Sequence, residues 1–135
     1  TNPGSYEPEN TRGMRALLVE DHDLNRELLL EMLALSGFES LGASSAEKAL
    51  VLLGENLFDV VLTDLHMPGM DGAKLTREWR KMEAVLGRKP VRIVGISADV
   101  RVQERQRCIA AGMDGFLGKP FSLADLRKVL AETKA

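Results

Sequence analysis

The sequence predicts an α/β fold: a doubly wound parallel sheet with helices on both faces. Two observations carry that prediction. Short apolar runs of strand length alternate with helical patterns five times from Met14 onward, the mark of consecutive βα units joined by right-handed crossovers. The run Val60-Val61-Leu62 is apolar at every position, as a strand covered on both faces requires. Strand order is not visible in this pattern.

The elements follow in turn. Ala16 to Val19 reads as the first strand. Leu24, Leu28, Met32 and Leu35 then recur at helical spacing, and Gly37 ends that helix. Phe38 to Gly42 is a weaker second strand. Ser45 to Asn56 is helical, with Ser44 or Ser45 as N-cap and Glu47 in its first turn. The third strand ends on Asp64, before the turn residues Pro68 and Gly69. A helix through Leu75, Trp79 and Met82 follows, with Trp79 and the methionines assigned to packing, then a loop over Gly87 to Pro90. Val91 to Ile96 is the fourth strand. Val102 to Ala111 is a helix stopped by Gly112, and Gly115 to Leu117 is a short fifth strand. Ser122 caps a closing helix that carries Leu126, Val129 and Leu130.

At 135 residues, 44% hydrophobic and 28% charged, the chain suits one soluble globular domain with a real core. The expected division is a flexible leader or interdomain linker over residues 1–13, rich in Pro, Gly, Ser and Glu, and a domain over 14–135. A net charge of −2 provides no basic field for nucleic acid. No apolar run approaches the roughly 20 residues needed to span a bilayer, so neither partner is expected to touch this segment. The single cysteine, Cys108, excludes an internal disulfide and fits a reducing, cytoplasmic compartment. It is assigned no chemical role.

In a parallel sheet all strand C-termini share one edge, where open α/β folds place their chemistry. Reading off those ends yields Glu20 and Asp21 after the first strand, Asp64 after the third, Ser97 after the fourth and Lys119 after the fifth. Three carboxylates at one edge repel unless a cation sits among them. Oxygen donors without Cys or His favour a hard cation, Mg²⁺ above all. Mg²⁺ borrows phosphate oxygens, so a phosphoryl group is the implied substrate. Ser97 then donates to one phosphoryl oxygen, Lys119 neutralises another, and Asp64 supplies the attacking oxygen. The competing reading of Asp64 alone is a strand-end carboxylate that caps a turn.

Four motifs carry a resemblance to a known family. They are Val19-Glu20-Asp21; Thr63-Asp64 with Met67-Pro68-Gly69-Met70-Asp71-Gly72; Ile96-Ser97-Ala98; and Lys119-Pro120-Phe121. Together they resemble the receiver domains of two-component response regulators, over about Arg15 to Thr133. The resemblance implies a flavodoxin-like sheet of order 2-1-3-4-5, with Asp64 as phosphoacceptor. It further implies Mg²⁺ held by Glu20, Asp21, Asp64 and the backbone carbonyl of His66. Ser97 becomes a hydroxyl switch, Lys119 the phosphate-contacting lysine, and the Lys119-Pro120 bond is expected to be cis. Such a domain promotes its own aspartyl phosphorylation and dephosphorylation.

Phe116, three residues before Lys119, takes the position of an aromatic that moves inward on activation; simple core packing is the equal alternative. His22 and His66 flank the site and are expected to be exposed bystanders. Arg101, Arg105 and Arg107 are expected to form a solvated basic face on the fourth helix. Asn25-Arg26 after Val19-Glu20-Asp21 resembles a pattern frequent in hybrid sensor histidine kinases. Together with the polar leader it favours a receiver from such a kinase over a stand-alone one. No DNA-binding output domain is expected after the fifth helix. The partner would be a histidine kinase or a histidine phosphotransfer domain, met through the first helix and the site loops. Two other classes stay open: a phosphorylation-independent binding module, and a Mg²⁺-dependent phosphatase. The latter needs a second acid near Asp64, where the sequence has His66.

Overall fold

In a computed structural model, residues 13–133 are described; the expected leader lies outside them apart from Gly13. The chain alternates through β1 (Arg15–Val19), α1 (Asp23–Leu35), β2 (Glu39–Ala43), α2 (Ala46–Glu55), β3 (Val60–Asp64), α3 (Gly72–Leu86), β4 (Arg92–Ser97), α4 (Val102–Ala111), β5 (Gly115–Gly118) and α5 (Leu123–Ala131). All pairings are parallel. The sheet order is β2-β1-β3-β4-β5.

Alternation of side chains along each strand splits the core in two. Leu17 and Val19 of β1, Val61 of β3 and Ile93 of β4 face Ala49, Leu53, Leu75, Trp79 and Cys108 of α2, α3 and α4. Ala16, Leu18, Val60, Leu62, Val94 and Ile96 face Leu29 and Leu33 of α1 and Leu126 and Leu130 of α5. Every residue of β3 is buried, which matches its uninterrupted apolar run. The strand is central and covered on both sides.

The helix starts follow local chemistry. Ser45 accepts from Lys48 N–H, Asp71 from Lys74 N–H, and Ser122 forms a capping box with Asp125. Each satisfies amide donors that a helix N-terminus leaves without partners. Two helices lack this device. The residues before α1 and α4, His22 and Arg101, make no side-chain cap.

The face of α1 is a correction to what spacing suggests. Leu24, Leu28 and Leu35 mark the helix but are exposed, whereas Leu29 and Leu33 pack on the sheet. The helix carries leucines on several faces, so spacing finds the helix without finding its inner side. Among the described residues no helix is long and apolar enough to cross a membrane.

Candidate functional site

The C-terminal edge of the sheet is assembled from β1, β3, β4 and β5. Glu20 follows β1 directly. Its N–H donates to Ala43 O at the end of β2 (3.0 Å), and its own carbonyl accepts from Arg26 Nη1 of α1 (3.0 Å). These bonds turn the Glu20 side chain, only 1% exposed, into the molecule. Asp64, the last residue of β3, is also buried, and its Oδ1 accepts from His66 N–H at 3.2 Å.

Lys119 closes the group from β5. Its N–H donates to Ser97 O (2.8 Å), which registers the two strand ends. Its Nζ lies 3.7 Å from Glu20 Oε1 and 3.6 Å from Asp64 Oδ2. One ammonium therefore faces two buried carboxylates. The Lys119-Pro120 peptide is cis. Ser97 is buried, and its Oγ accepts from Asp99 N–H at 3.0 Å.

Two carboxylate oxygens in this group, Glu20 Oε1 and Asp21 Oδ1, are buried without a hydrogen-bond partner. Orphaned carboxylate oxygens are costly unless a cation or donor meets them. Glu20, Asp21 and His22 bring ligand-capable atoms within 4.8 Å of one another. His22 Nδ1 lies 3.4 Å from Glu20 Oε2 and 3.5 Å from Asp21 Oδ1, with its ring 72% exposed. The buried donors are all oxygens, a set that suits a hard divalent cation.

The loop after Asp64 is tightly drawn. Gly72 N–H donates to Leu65 O (3.2 Å), and a Cβ on Gly72 would fall 2.6 Å from Asp64 O. Only glycine allows α3 to start this close to the end of β3.

With this geometry in view, known proteins place the chain. It matches the family model of the response regulator receiver domain over residues 16–131. The chain belongs to the receiver domain family. Its curated relatives include the sensor histidine kinase RcsC of Salmonella typhi, 39% identical over 118 residues, which are 87% of this chain and 12% of that protein. The virulence sensor protein BvgS of Bordetella pertussis is 43% identical over 124 residues, 90% of this chain and 10% of that protein. The chain thus spans about a tenth of these relatives. Among solved structures, the receiver domain of sensor histidine kinase PA1611 from Pseudomonas aeruginosa is 31% identical with a TM-score of 0.78, covering 87% of this chain and 94% of that one. That structure carries a magnesium ion in its active-site cleft. The sheet order is that of the CheY-like flavodoxin fold.

His66, Phe116 and the arginines of the α4 region have the following surroundings. His66 is 59% exposed, with Nε2 3.7 Å from Glu104 Oε1 of α4. Phe116 is half-buried at the edge of the core, with the Arg105 guanidinium 5.2 Å above its ring. The expected basic face is exposed at Arg101 and Arg105 and half-buried at Arg107, and each of the three arginines also has a partner. Arg101 bonds both oxygens of Asp99, Arg105 stacks on Phe116, and Arg107 bonds Asp71 and Glu104. All three arginines are engaged because α4 runs past acidic loop residues on one side and β5 on the other.

Sequence reasoning missed Asp99, Glu104 and the second role of Asp71. The Arg101 side chain, then its N–H, holds the Asp99 carboxyl down to about 2. For Asp71, burial is the largest influence and raises its pKa. The Lys74 N–H and the Arg107 guanidinium together outweigh it and hold the carboxyl below its ordinary value.

Proposed function

We propose that this receiver domain accepts a phosphoryl group onto Asp64 from a phosphohistidine, and that the resulting acyl phosphate switches its surface. The observation that carries this reading is the Lys119 ammonium set between the buried carboxylates of Glu20 and Asp64, beside a buried Asp21 oxygen that has no hydrogen-bond partner. Asp64 attacks phosphorus, and the P–N bond breaks with its electron pair on the departing imidazole. Lys119 meets one of the transferred oxygens as a point charge. Ser97 turns its hydroxyl from Asp99 N–H toward another, and the shift passes to Phe116.

Glu20, Asp21, Asp64 and the His66 carbonyl would hold Mg²⁺, and Mg²⁺ bound there neutralises charge on the phosphoryl oxygens. The His22 imidazole is a softer donor than Mg²⁺ prefers and stays outside the set. Support for Mg²⁺ comes from the oxygen-only buried donors and from the metal in the PA1611 receiver.

The parent is a hybrid sensor histidine kinase, and the partner a histidine kinase or phosphotransfer domain in the cytoplasm. The relatives RcsC and BvgS support the first inference. The surface supports the second. A cleft of about 450 Å³ between α1 and the Lys119-Pro120-Phe121 turn is lined by Leu28, Leu29 and Met32 and opens onto Glu20 and Lys119. Leu28 is 57% exposed, and Leu24 on the same helix is 81% exposed. A donor helix seated there would present its histidine to Asp64.

The test is intact mass after incubation with a small phosphodonor, with and without Mg²⁺, beside Asp64→Asn. One Mg²⁺-dependent phosphoryl addition, lost in Asp64→Asn, is expected. Equal labelling of the variant would overturn the assignment.

A further inference from the structure

The helix α4 is weakly held by apolar packing. Its buried residues are Cys108 and Ala111, both in its C-terminal half, and Arg101 supplies no side-chain cap at its start. What fastens its middle is polar. Arg107 Nη1 lies 3.2 Å from Asp71 Oδ2, and Arg107 Nη2 lies 3.0 Å from Glu104 Oε1. The same Glu104 oxygen is 3.7 Å from His66 Nε2. Asp71 caps α3 through its other oxygen, accepting from Lys74 N–H at 2.9 Å. His66 N–H, in turn, donates to Asp64 Oδ1.

We infer that Arg107 and Glu104 are positioning residues: with Asp71, and with His66 when its imidazole is protonated, they form a polar latch that ties α4 to the loop following the phosphoacceptor, so that the two rearrange together. The inference rests on the phosphoacceptor reading of Asp64. A phosphoryl group on that carboxylate requires donors of the 65–71 loop to re-aim. While the latch is closed, that movement must carry α4 with it. A second tie acts in the same direction, because Ser97 Oγ accepts from Asp99 N–H and Asp99 holds Arg101 just before α4. Cutting the latch lets the loop adjust alone. Phosphorylation then becomes easier, and its message to α4 weaker.

The test uses Arg107→Ala, Arg107→Lys and, as a charge-matched control on α5, Lys128→Ala. Arg107→Lys keeps the charge but cannot serve two carboxylates with one rigid fork. Amide exchange is followed over residues 65–71 and 102–107, and the phosphorylation rate from a small donor by intact mass. Both Arg107 variants are expected to exchange faster in both segments and to phosphorylate roughly two- to fivefold faster, the range an exposed ion pair carries. Their α4 exchange should respond less to phosphorylation, the remaining response passing through Ser97, Asp99 and Arg101, while the control follows the unmodified protein. Unchanged exchange in both Arg107 variants, or an α4 response as large as in the unmodified protein, overturns the latch. Failure of the unmodified protein to take a phosphoryl group overturns the phosphoacceptor reading instead, and the exchange of the unphosphorylated variants then decides the latch by itself.

Discussion

Gly72→Ala should destabilise the domain although alanine is the better helix former. Gly72 opens α3, where replacing glycine gains at most about 1 kcal/mol of helix propensity. The added Cβ would sit 2.6 Å from Asp64 O, 3.1 Å from Leu65 Cα and 3.2 Å from Leu65 Cδ2. A carbon–oxygen contact needs roughly 3.3 Å, so backbone must move. It cannot move freely, because Leu65 N–H is bonded to Ile96 O of the neighbouring strand at 3.0 Å. Overpacking against backbone sits at the upper end of the usual cost, about 2–3 kcal/mol, which leaves a net loss of about 1–2 kcal/mol and a Tm lower by about 3–10 °C. Gly54→Ala is the matched control. It lies in α2 with nothing within 4 Å of its Cβ position, so the same substitution should stabilise by about 0.5–1 kcal/mol. Urea denaturation of both variants reads the two signs. A Gly72→Ala domain as stable as the unmodified one would refute the close approach of α3 to β3. Because Asp64 and Leu65 are the residues displaced, Gly72→Ala should also weaken Mg²⁺ binding, measured by calorimetry, whereas Gly54→Ala should not.

Other outcomes follow from the same contacts. Lys119→Met removes the ammonium that faces Glu20 and Asp64, so Mg²⁺ should bind several-fold tighter by Coulomb's law while phosphorylation slows; weaker Mg²⁺ binding would contradict this. Glu83→Ala strands Trp79 Nε1, Arg80 Nη1 and Val91 N–H, all bonded to the buried Glu83 carboxylate. Urea denaturation should show a loss of about 2–4 kcal/mol, and a loss under about 1 kcal/mol would show those donors finding other partners. Asp71 has a folded pKa held below its ordinary value by Lys74 N–H and Arg107 against the opposing pull of burial. Its contribution to stability is therefore present above the unfolded carboxyl pKa of about 3.9 and lost only as the pH falls through the lower folded value. Carboxyl titration by NMR should place Asp99 near 2, and Arg101→Ala should return it toward the ordinary value.

The fold was legible because every strand but β2, which reads Glu-Ser-Leu-Gly-Ala, has a short apolar run, and most helices have a stop or a cap in the sequence. β3 stood out most, since Val60-Val61-Leu62 is unbroken and its polar residues, Thr63 and Asp64, come only at its end. Which face of α1 packs was not legible. With leucines at 24, 28, 29, 30, 33 and 35, more than one row satisfies helical spacing, and only the docked helix selects Leu29 and Leu33. The group Glu20, Asp21, Asp64, Ser97 and Lys119 emerged from strand ends, because parallel topology forces those ends onto one edge. The chain from Asp71 through Arg107 and Glu104 to His66 had no such guide. Arg107 and Asp71 stand 36 residues apart, and their meeting depends on how α4 lies against the loop before α3. Local charge spacing therefore read those arginines as a solvated face. Glu83 was hidden for a related reason, since an acid in a polar helical stretch does not announce that it will be buried beneath Trp79.

Chemical reduction tests whether Asp64 itself carries the phosphoryl group. Borohydride reduces an aspartyl phosphate to homoserine at the modified position. The protein, phosphorylated in the presence of Mg²⁺, is reduced, digested and sequenced by mass spectrometry. Homoserine at position 64, absent without donor or Mg²⁺, is the predicted result. An unchanged Asp64 in protein that has gained a phosphoryl group, or homoserine at Asp21 instead, would contradict the account.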